Sequence, residues 1–200
     1  MESFFNMFGY QTRDYSGTYY GRCYCDNCQR QFNEKFGLPI PHPNEDDESI
    51  LRAYREFQDE TTKEMLDRIH ALVKGKRPDI AIATYHHHKV DIVKHESNTA
   101  LFRPLPKWIY SASENVKSTQ DTWHDKCVSN ICINAVDLSH RFVGVSEYEV
   151  AIRLYQSIAS GSGLSFCIIG VFTDYLIGST RKSYLTFTNS TKKMKRTMVH

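Results

Sequence analysis

Asp79-Ile80-Ala81-Ile82-Ala83-Thr84-Tyr85 decides the fold. The run is short, β-branched and continuously apolar between its polar ends. A strand with one wet face would alternate polar and apolar residues. An unbroken apolar run reads instead as a strand buried on both faces, as in parallel sheets covered by helices. Upstream, Glu48 to Lys74 places Ile50, Tyr54, Phe57, Met65, Ile69 and Leu72 near helical spacing, and basic residues with Gly75 are placed to stop that helix. Downstream, Val90 to Val93 is a second apolar run, delivering Lys94-His95-Glu96-Ser97-Asn98 at its carboxyl end. Leu105 to Thr119 then reads as a helix and Val128 to Val136 as a third strand. Ser146-Glu147-Tyr148-Glu149 is a capping box opening a helix that ends at Gly161, and Leu164 to Phe172 is the last strand. Near the start, Phe4 to Phe8 reads as a buried strand and Asn27 to Phe36 as a short helix stopped by Gly37 and Pro39. Pro41 to Asp47 links it to the long helix. Strand and helix alternate, which predicts a parallel α/β architecture.

At 200 residues the chain can bury a substantial core. No apolar run approaches the roughly 20 residues of a membrane span, and Met1 to Met7 lacks the basic region and apolar core of a signal peptide. The expected location is cytoplasmic, with no membrane partner. The net charge of +2 hides an asymmetry. Arg181, Lys182, Lys192, Lys193, Lys195 and Arg196 follow Asp174 with no acidic residue among them, leaving 19 basic against 23 acidic residues before them. A nucleic-acid reading would rest on that tail alone, and none is expected for the body.

Gly21-Arg22-Cys23-Tyr24-Cys25-Asp26-Asn27-Cys28 sets three cysteines in a C-x-C-x2-C spacing at the start of the short helix. Three close thiolates suit zinc, but a closed structural site wants four ligands, and the next cysteine is Cys127. The fourth ligand is a His or Asp, a distant Cys, or a group absent from this chain. The expected role is structural, bracing loop 21–37. Cys127, Cys132 and Cys167 read as isolated thiols, so a disulfide framework is not expected.

The segment Phe4 to Pro39, together with Tyr85-His86-His87-His88, Lys94-His95-Glu96-Ser97-Asn98, Tyr110-Ser111-Ala112-Ser113-Glu114-Asn115 and Ser129-Asn130-Ile131-Cys132-Ile133-Asn134, closely resembles the family called hypothetical glycosyl hydrolase 6. The cysteine segment also resembles the zinc cluster of family 42 β-galactosidases, in which the fourth cysteine lies earlier in the chain. The resemblance covers about residues 3 to 175. It implies an α/β fold, a partial (β/α)₈ TIM barrel holding roughly strands four to eight, because family members carry the first half of the barrel upstream of the position of Phe4. It also implies hydrolysis of O-glycosidic bonds in an oligosaccharide or glycoside. A homo-oligomer is a possible assembly of the full-length protein. Activity of this segment alone is expected to be weak or absent.

Glycoside hydrolysis usually needs two carboxyl groups, and barrel enzymes present theirs at the carboxyl ends of strands. Glu96 follows the Val90–Val93 run, with His95 beside it to tune its pKa. Asp14 lies in an aromatic loop suited to stacking on a sugar, although an Asp there equally suits a turn. The Asn-Glu pair of family 42 has no match at Asn6-Met7, and Glu114 is the remaining acidic candidate, within the expected helix. Asn6, Tyr10, Gln11, His86, His88, Asn98, Arg103, Trp108 and Asn134 are candidate substrate contacts. Asn130 and Asn134 read either as pointing into the barrel mouth or as buried structural residues. His86, His87 and His88 cannot all face one site in an extended chain.

Residues 176–200 have no convincing period and form a separate basic tail. They read either as disordered or as frameshifted text: one base out of frame, with permitted codon choices, Phe187 to Val199 can encode an acidic, helix-compatible segment. The shifted reading makes the chain a remnant of a longer gene. The rival to a hydrolase is a zinc-braced binding module whose basic tail contacts nucleic acid.

Overall fold

The computed structural model describes residues 1–6, 9–14, 18–99, 104–137 and 140–169. The basic tail, Arg103, and Met7 and Phe8 of the expected first strand lie outside them. The described elements are β1 (Glu2–Phe4), α1 (Asp26–Phe36), α2 (Glu48–Lys76), β2 (Ala81–Thr84), β3 (Ile92–Ser97), α3 (Leu105–Thr122), β4 (Cys127–Ile133), α4 (Glu147–Ala159) and β5 (Gly163–Cys167). Strand order follows chain order, β1-β2 in one compact unit (Met1–Asp91) and β3-β4-β5 in the second, which begins at Ile92. Every pairing within a unit is parallel. The class is α/β, as the alternation of runs predicts. Among the described residues no helix is long and apolar enough to cross a membrane.

In the first unit, α1 ends where Gly37 takes φ 64°, a left-handed turn that glycine adopts without a Cβ penalty, and its N–H returns to Asn33 O at 2.8 Å. The two helices meet through Phe32, Tyr54 and Phe57, all buried, with Phe32 edge-on to the other two at 5.7 and 5.4 Å. Helix α2 opens on Asp47, whose Oδ1 accepts from Ser49 N–H at 2.8 Å. It runs through Gly75 to Lys76, so the glycine is not its stop. Pro78 is: it forces Arg77 out of the helical region, to φ −146° and ψ 86°. Strand β2 is nearly wholly buried, and Asp91 fastens it, accepting from Ile82 N–H at 2.7 Å and from Lys74 Nζ at 2.9 Å. Strand β1 starts two residues before the expected Phe4 and leaves Glu2 and Phe4 exposed. It pairs Glu2 to Phe4 with Ala81 to Ala83, and the Thr84 hydroxyl then takes the Phe5 carbonyl at 2.7 Å.

In the second unit, β3 pairs with β4 from Ile92↔Cys127 to Ser97↔Cys132, and β4 with β5 from Ser129↔Gly163 to Ile133↔Cys167. Helix α3 lays Ala112, Val116 and Thr119 on the strands, an i, i+4, i+7 stripe that is fully buried. Helix α4 begins at the capping box, with Ser146 Oγ accepting from Glu149 N–H at 3.2 Å. It buries Val150 and Leu154 against Cys132.

Candidate functional site

Strand alternation sorts the residues of β3. The His95 ring reaches Thr119 of α3 at 2.6 Å, and the Ser97 hydroxyl donates to Asn130 Oδ1 at 2.9 Å, so both odd-numbered side chains face the helices. Lys94 and Glu96 therefore project from the opposite face. There Lys94, 5% exposed, donates to Ser129 Oγ at 3.3 Å, and Ser129 shares a hydroxyl contact of 2.9 Å with Ser165 of β5. Glu96 lies one pleat nearer the carboxyl end and is exposed. Across the strands, burial and then the Glu96 charge push the Cys167 thiol up.

Two expectations change here. Glu96 sits inside β3, because Lys94 to Ser97 continue the register with Ser129 to Cys132 and extend the strand beyond Val93. His95 projects from the face opposite Glu96, towards Thr119 of α3. Its own pKa is lowered by burial.

Behind the face, Asn130 is fully buried and its Oδ1 accepts from Ser97 Oγ and from Asn115 Nδ2, the latter at 3.2 Å. Its Nδ2 donates to Ser157 of α4 at 3.0 Å. Asn130 is thus a tie between strand and helices, not a barrel-mouth residue. Asn115 also donates to the Glu96 carbonyl at 3.0 Å, which fixes the backbone under that side chain. Asn98, after β3, and Asn134, after β4, each carry a buried Oδ1 without a hydrogen-bond partner. Trp108 is half-buried on α3, and Glu114 is exposed there, off the stripe that contacts the strands. The sequence reading passed over Asp137, which follows the carboxyl end of β4 and accepts from the His140 N–H at 2.6 Å and ring Nδ1 at 2.9 Å.

The remaining candidates belong to the first unit. Asp14 accepts from Thr18 N–H with one oxygen and from the Tyr20 hydroxyl with the other, each at 2.9 Å, so it holds its own loop closed. Tyr10 packs on Phe57 and its hydroxyl meets Thr61 Oγ1 at 2.8 Å. Asn6 and Gln11 are exposed. His86 stacks on His87 at 4.6 Å, and its pKa is lowered by burial first and then by the His87 charge. His88 turns to Asp67 of α2 at 2.9 Å. The three rings take two directions.

The cysteine cluster is built at the mouth of α1. Cys25 is the residue before the helix and Cys28 lies in its first turn, where unpaired N–H groups favour thiolates. The loop is held by the Tyr24 hydroxyl donating to Pro41 O and by Arg22 donating to His42 O, both at 2.7 Å. The three Sγ atoms lie within 4.8 Å of one another, with Cys23 and Cys25 at 3.5 Å. Zinc–sulfur bonds of about 2.3 Å in a tetrahedron set sulfurs roughly 3.8 Å apart, so the trio fits a thiophilic cation. Among the described residues no fourth His, Cys, Asp or Glu joins it. Burial pushes the Cys28 thiol up to about 12, whereas the Cys28 N–H and the neighbouring thiols hold Cys25 below its ordinary value. Cys28 also walls a cleft of about 390 Å³ together with Tyr10, Asn27, Gln31, Thr61 and Arg68.

No protein-family model and no curated protein sequence matches the chain. Solved structures do. A monoclinic crystal structure of bee venom hyaluronidase superposes with a TM-score of 0.53 over 84% of this chain, at 13% identity. The same enzyme in complex with a hyaluronic acid tetramer gives 0.52 over 82%, at 12% identity. The fold is part of a (β/α)₈ barrel. The chain spans about three fifths of the hyaluronidase chains, 61% and 58%. At this identity the likeness concerns the fold alone. In such barrels the strand face turned from the helices, here that of Lys94 and Glu96, lines the interior.

Proposed function

We propose that the chain is a segment of a glycoside-hydrolase-like domain that cleaves O-glycosidic bonds of a carbohydrate through carboxylate chemistry, with Glu96 as one of the two carboxylates. The observation that carries this reading is the position of Glu96: exposed, in the carboxyl half of β3, on the face turned away from α3. Hydrolysis needs a second carboxyl group across the scissile bond. Asp14 belongs to the first unit and Glu114 stands off the packed stripe of α3, so Asp137, although it also holds His140, is the better partner. It follows the strand next to that of Glu96, in the same unit. Asn98 and Asn134 end the same strands, with their amide oxygens buried. The cysteine trio holds zinc as a brace for loop 21–37.

The substrate class is an oligosaccharide or polysaccharide, and hyaluronan fragments head the panel because one similar structure holds that tetramer. Aryl-glycosides complete it. Hydrolysis by this segment is expected to be slow, so substrate binding is measured alongside it by calorimetry. Glu96→Gln should lower kcat by about 10³-fold while leaving KM nearly unchanged, the loss typical of removing a general acid or base. Retention of the rate by that variant would remove Glu96 from the chemistry.

A further inference from the structure

We infer that the cleft between α1 and α2 binds a neutral sugar, at a site that needs neither Glu96 nor a metal. The inference goes beyond the hydrolytic reading, which concerns the second unit. The face of α2 that meets α1 changes character along its length. Tyr54 and Phe57 are buried against Phe32, but at the same helical spacing the face continues as Thr61, Met65 and Arg68, which line the cleft of about 390 Å³. That volume lies at the lower end of small-molecule sites, so the guest is compact. The polar groups come as donors beside acceptors. On the α1 wall, Asn27 Oδ1 accepts from Arg30 Nη2 and Gln31 Nε2, each at 3.0 Å, which leaves the Asn27 N–H groups as donors and the Gln31 oxygen as an acceptor. On the α2 wall, Arg68 donates and Glu64, one turn before it, accepts. A sugar hydroxyl does both at once, so neighbouring hydroxyls match such pairs. The charges of Glu64 and Arg68 cancel, which favours an uncharged guest over an ion. The apolar wall is a ring already held in place. Thr61 Oγ1 donates to Phe57 O at 2.7 Å, so the Tyr10 hydroxyl donates to Thr61 Oγ1 at 2.8 Å, and the ring packs on Phe57. Tyr10 and the exposed Met65 offer surface to the C–H face of a pyranose ring. The ligand class is a neutral mono- or disaccharide.

Proton–nitrogen correlation spectra of the full chain test this, with galactose, glucose, N-acetylglucosamine, lactose and cellobiose as titrants. At least one sugar should cause saturable shifts at Tyr10, from Asn27 to Gln31 and from Thr61 to Arg68. Gln31→Leu and Arg68→Met, both outside the buried core, should each weaken that binding about tenfold, the loss expected for one or two hydrogen bonds. Met65→Trp fills the cleft and keeps every polar group, so it should abolish the response while the remaining α1 and α2 signals report an intact unit. Shifts confined to the second unit would overturn the site and leave the hydrolase reading standing. Absence of shifts with every one of these sugars overturns the inference, as does binding retained by Met65→Trp or undiminished in Gln31→Leu and Arg68→Met. Tighter binding of glucuronate or glucosamine than of the neutral sugars overturns the charge argument and with it the ligand class.

Discussion

The first unit joins its two helices through aromatic rings, whereas the second ties helices to strands through buried hydrogen bonds. Phe32 meets Tyr54 and Phe57 edge to face, with few polar atoms among the three. Behind the β3–β4 face, Ser97, Asn115, Asn130 and Ser157 form a chain in which each group depends on the next. The difference matters for function. Apolar packing tolerates adjustment, while a buried polar chain is costly if one member moves, so it fixes the strand ends that carry Glu96. Fixed geometry is what the proposed catalytic role of that face needs.

Removing the centre of each arrangement tests the contrast. Phe32→Ala should have the larger effect on stability, about 4 kcal/mol, because a wholly buried ring is replaced by a cavity shared with Tyr54 and Phe57. Hydrogen exchange should show that loss in α1 and α2. Protection unchanged there would mean that the rings are not the unit's main tie.

Asn130→Ala should cost about 2 kcal/mol, since it leaves the Ser97, Asn115 and Ser157 groups facing a buried void. The loss should appear in β3, β4 and α4. It should also blunt hydrolysis or carbohydrate binding more than Phe32→Ala does, because Asn115 holds the Glu96 carbonyl. Equal effects of the two variants on function would remove the proposed link between the polar chain and the face.

The polar half should also be the acid-sensitive half. Thr119 spends its hydrogen on Asn115 O at 3.2 Å, so the His95 contact is an Nε2–H donated to Thr119 Oγ1. Burial lowers the His95 pKa from 6.5, so the unfolded chain binds a proton at a pH where the folded ring stays neutral. Its contribution to stability is complete above about pH 6.5 and declines as pH falls towards the lowered folded value. His95→Gln keeps a donor for Thr119 and should flatten that part of the stability–pH curve. An unchanged slope would assign the acid sensitivity to other groups.

The elements whose evidence is local were legible from sequence. The Asp79–Tyr85 run contains β2, the Ser146 capping box starts α4, and the cysteine trio lies within six residues, so its closeness needs no tertiary fold. What required the structure depends on register. The run Val90 to Val93 does not show that β3 continues to Ser97, because Lys94, His95, Glu96 and Ser97 are polar and their pairing partners stand some 35 residues away. Adjacent polar residues in sequence read as one cluster, yet alternation sends His95 to α3 and Glu96 to the other face. Asn130 sits in the same kind of run as its apolar neighbours, and only the positions of Ser97, Asn115 and Ser157 reveal its partners. Asp137 carries no local mark beyond following a strand.

Gly75 gives the smallest effect and the cleanest check on the helix-stop rule. A glycine that ends a helix adopts positive φ, and replacing it with alanine is then costly. Gly75 is exposed, has ordinary helical backbone within α2, and has nothing within 4 Å of a would-be Cβ. Gly75→Ala should therefore stabilise the first unit by about 1 kcal/mol, the difference in helix propensity between the two residues. Slower exchange in the last turn of α2 should accompany it, while Phe32 packing and the Glu96 face stay unaffected. Destabilisation instead would restore the glycine as the stop and move the end of α2 back to Lys74. Pro78 would then lose its part, and the contact of Lys74 Nζ with Asp91 that fastens β2 would belong to a cap, not to a helix interior.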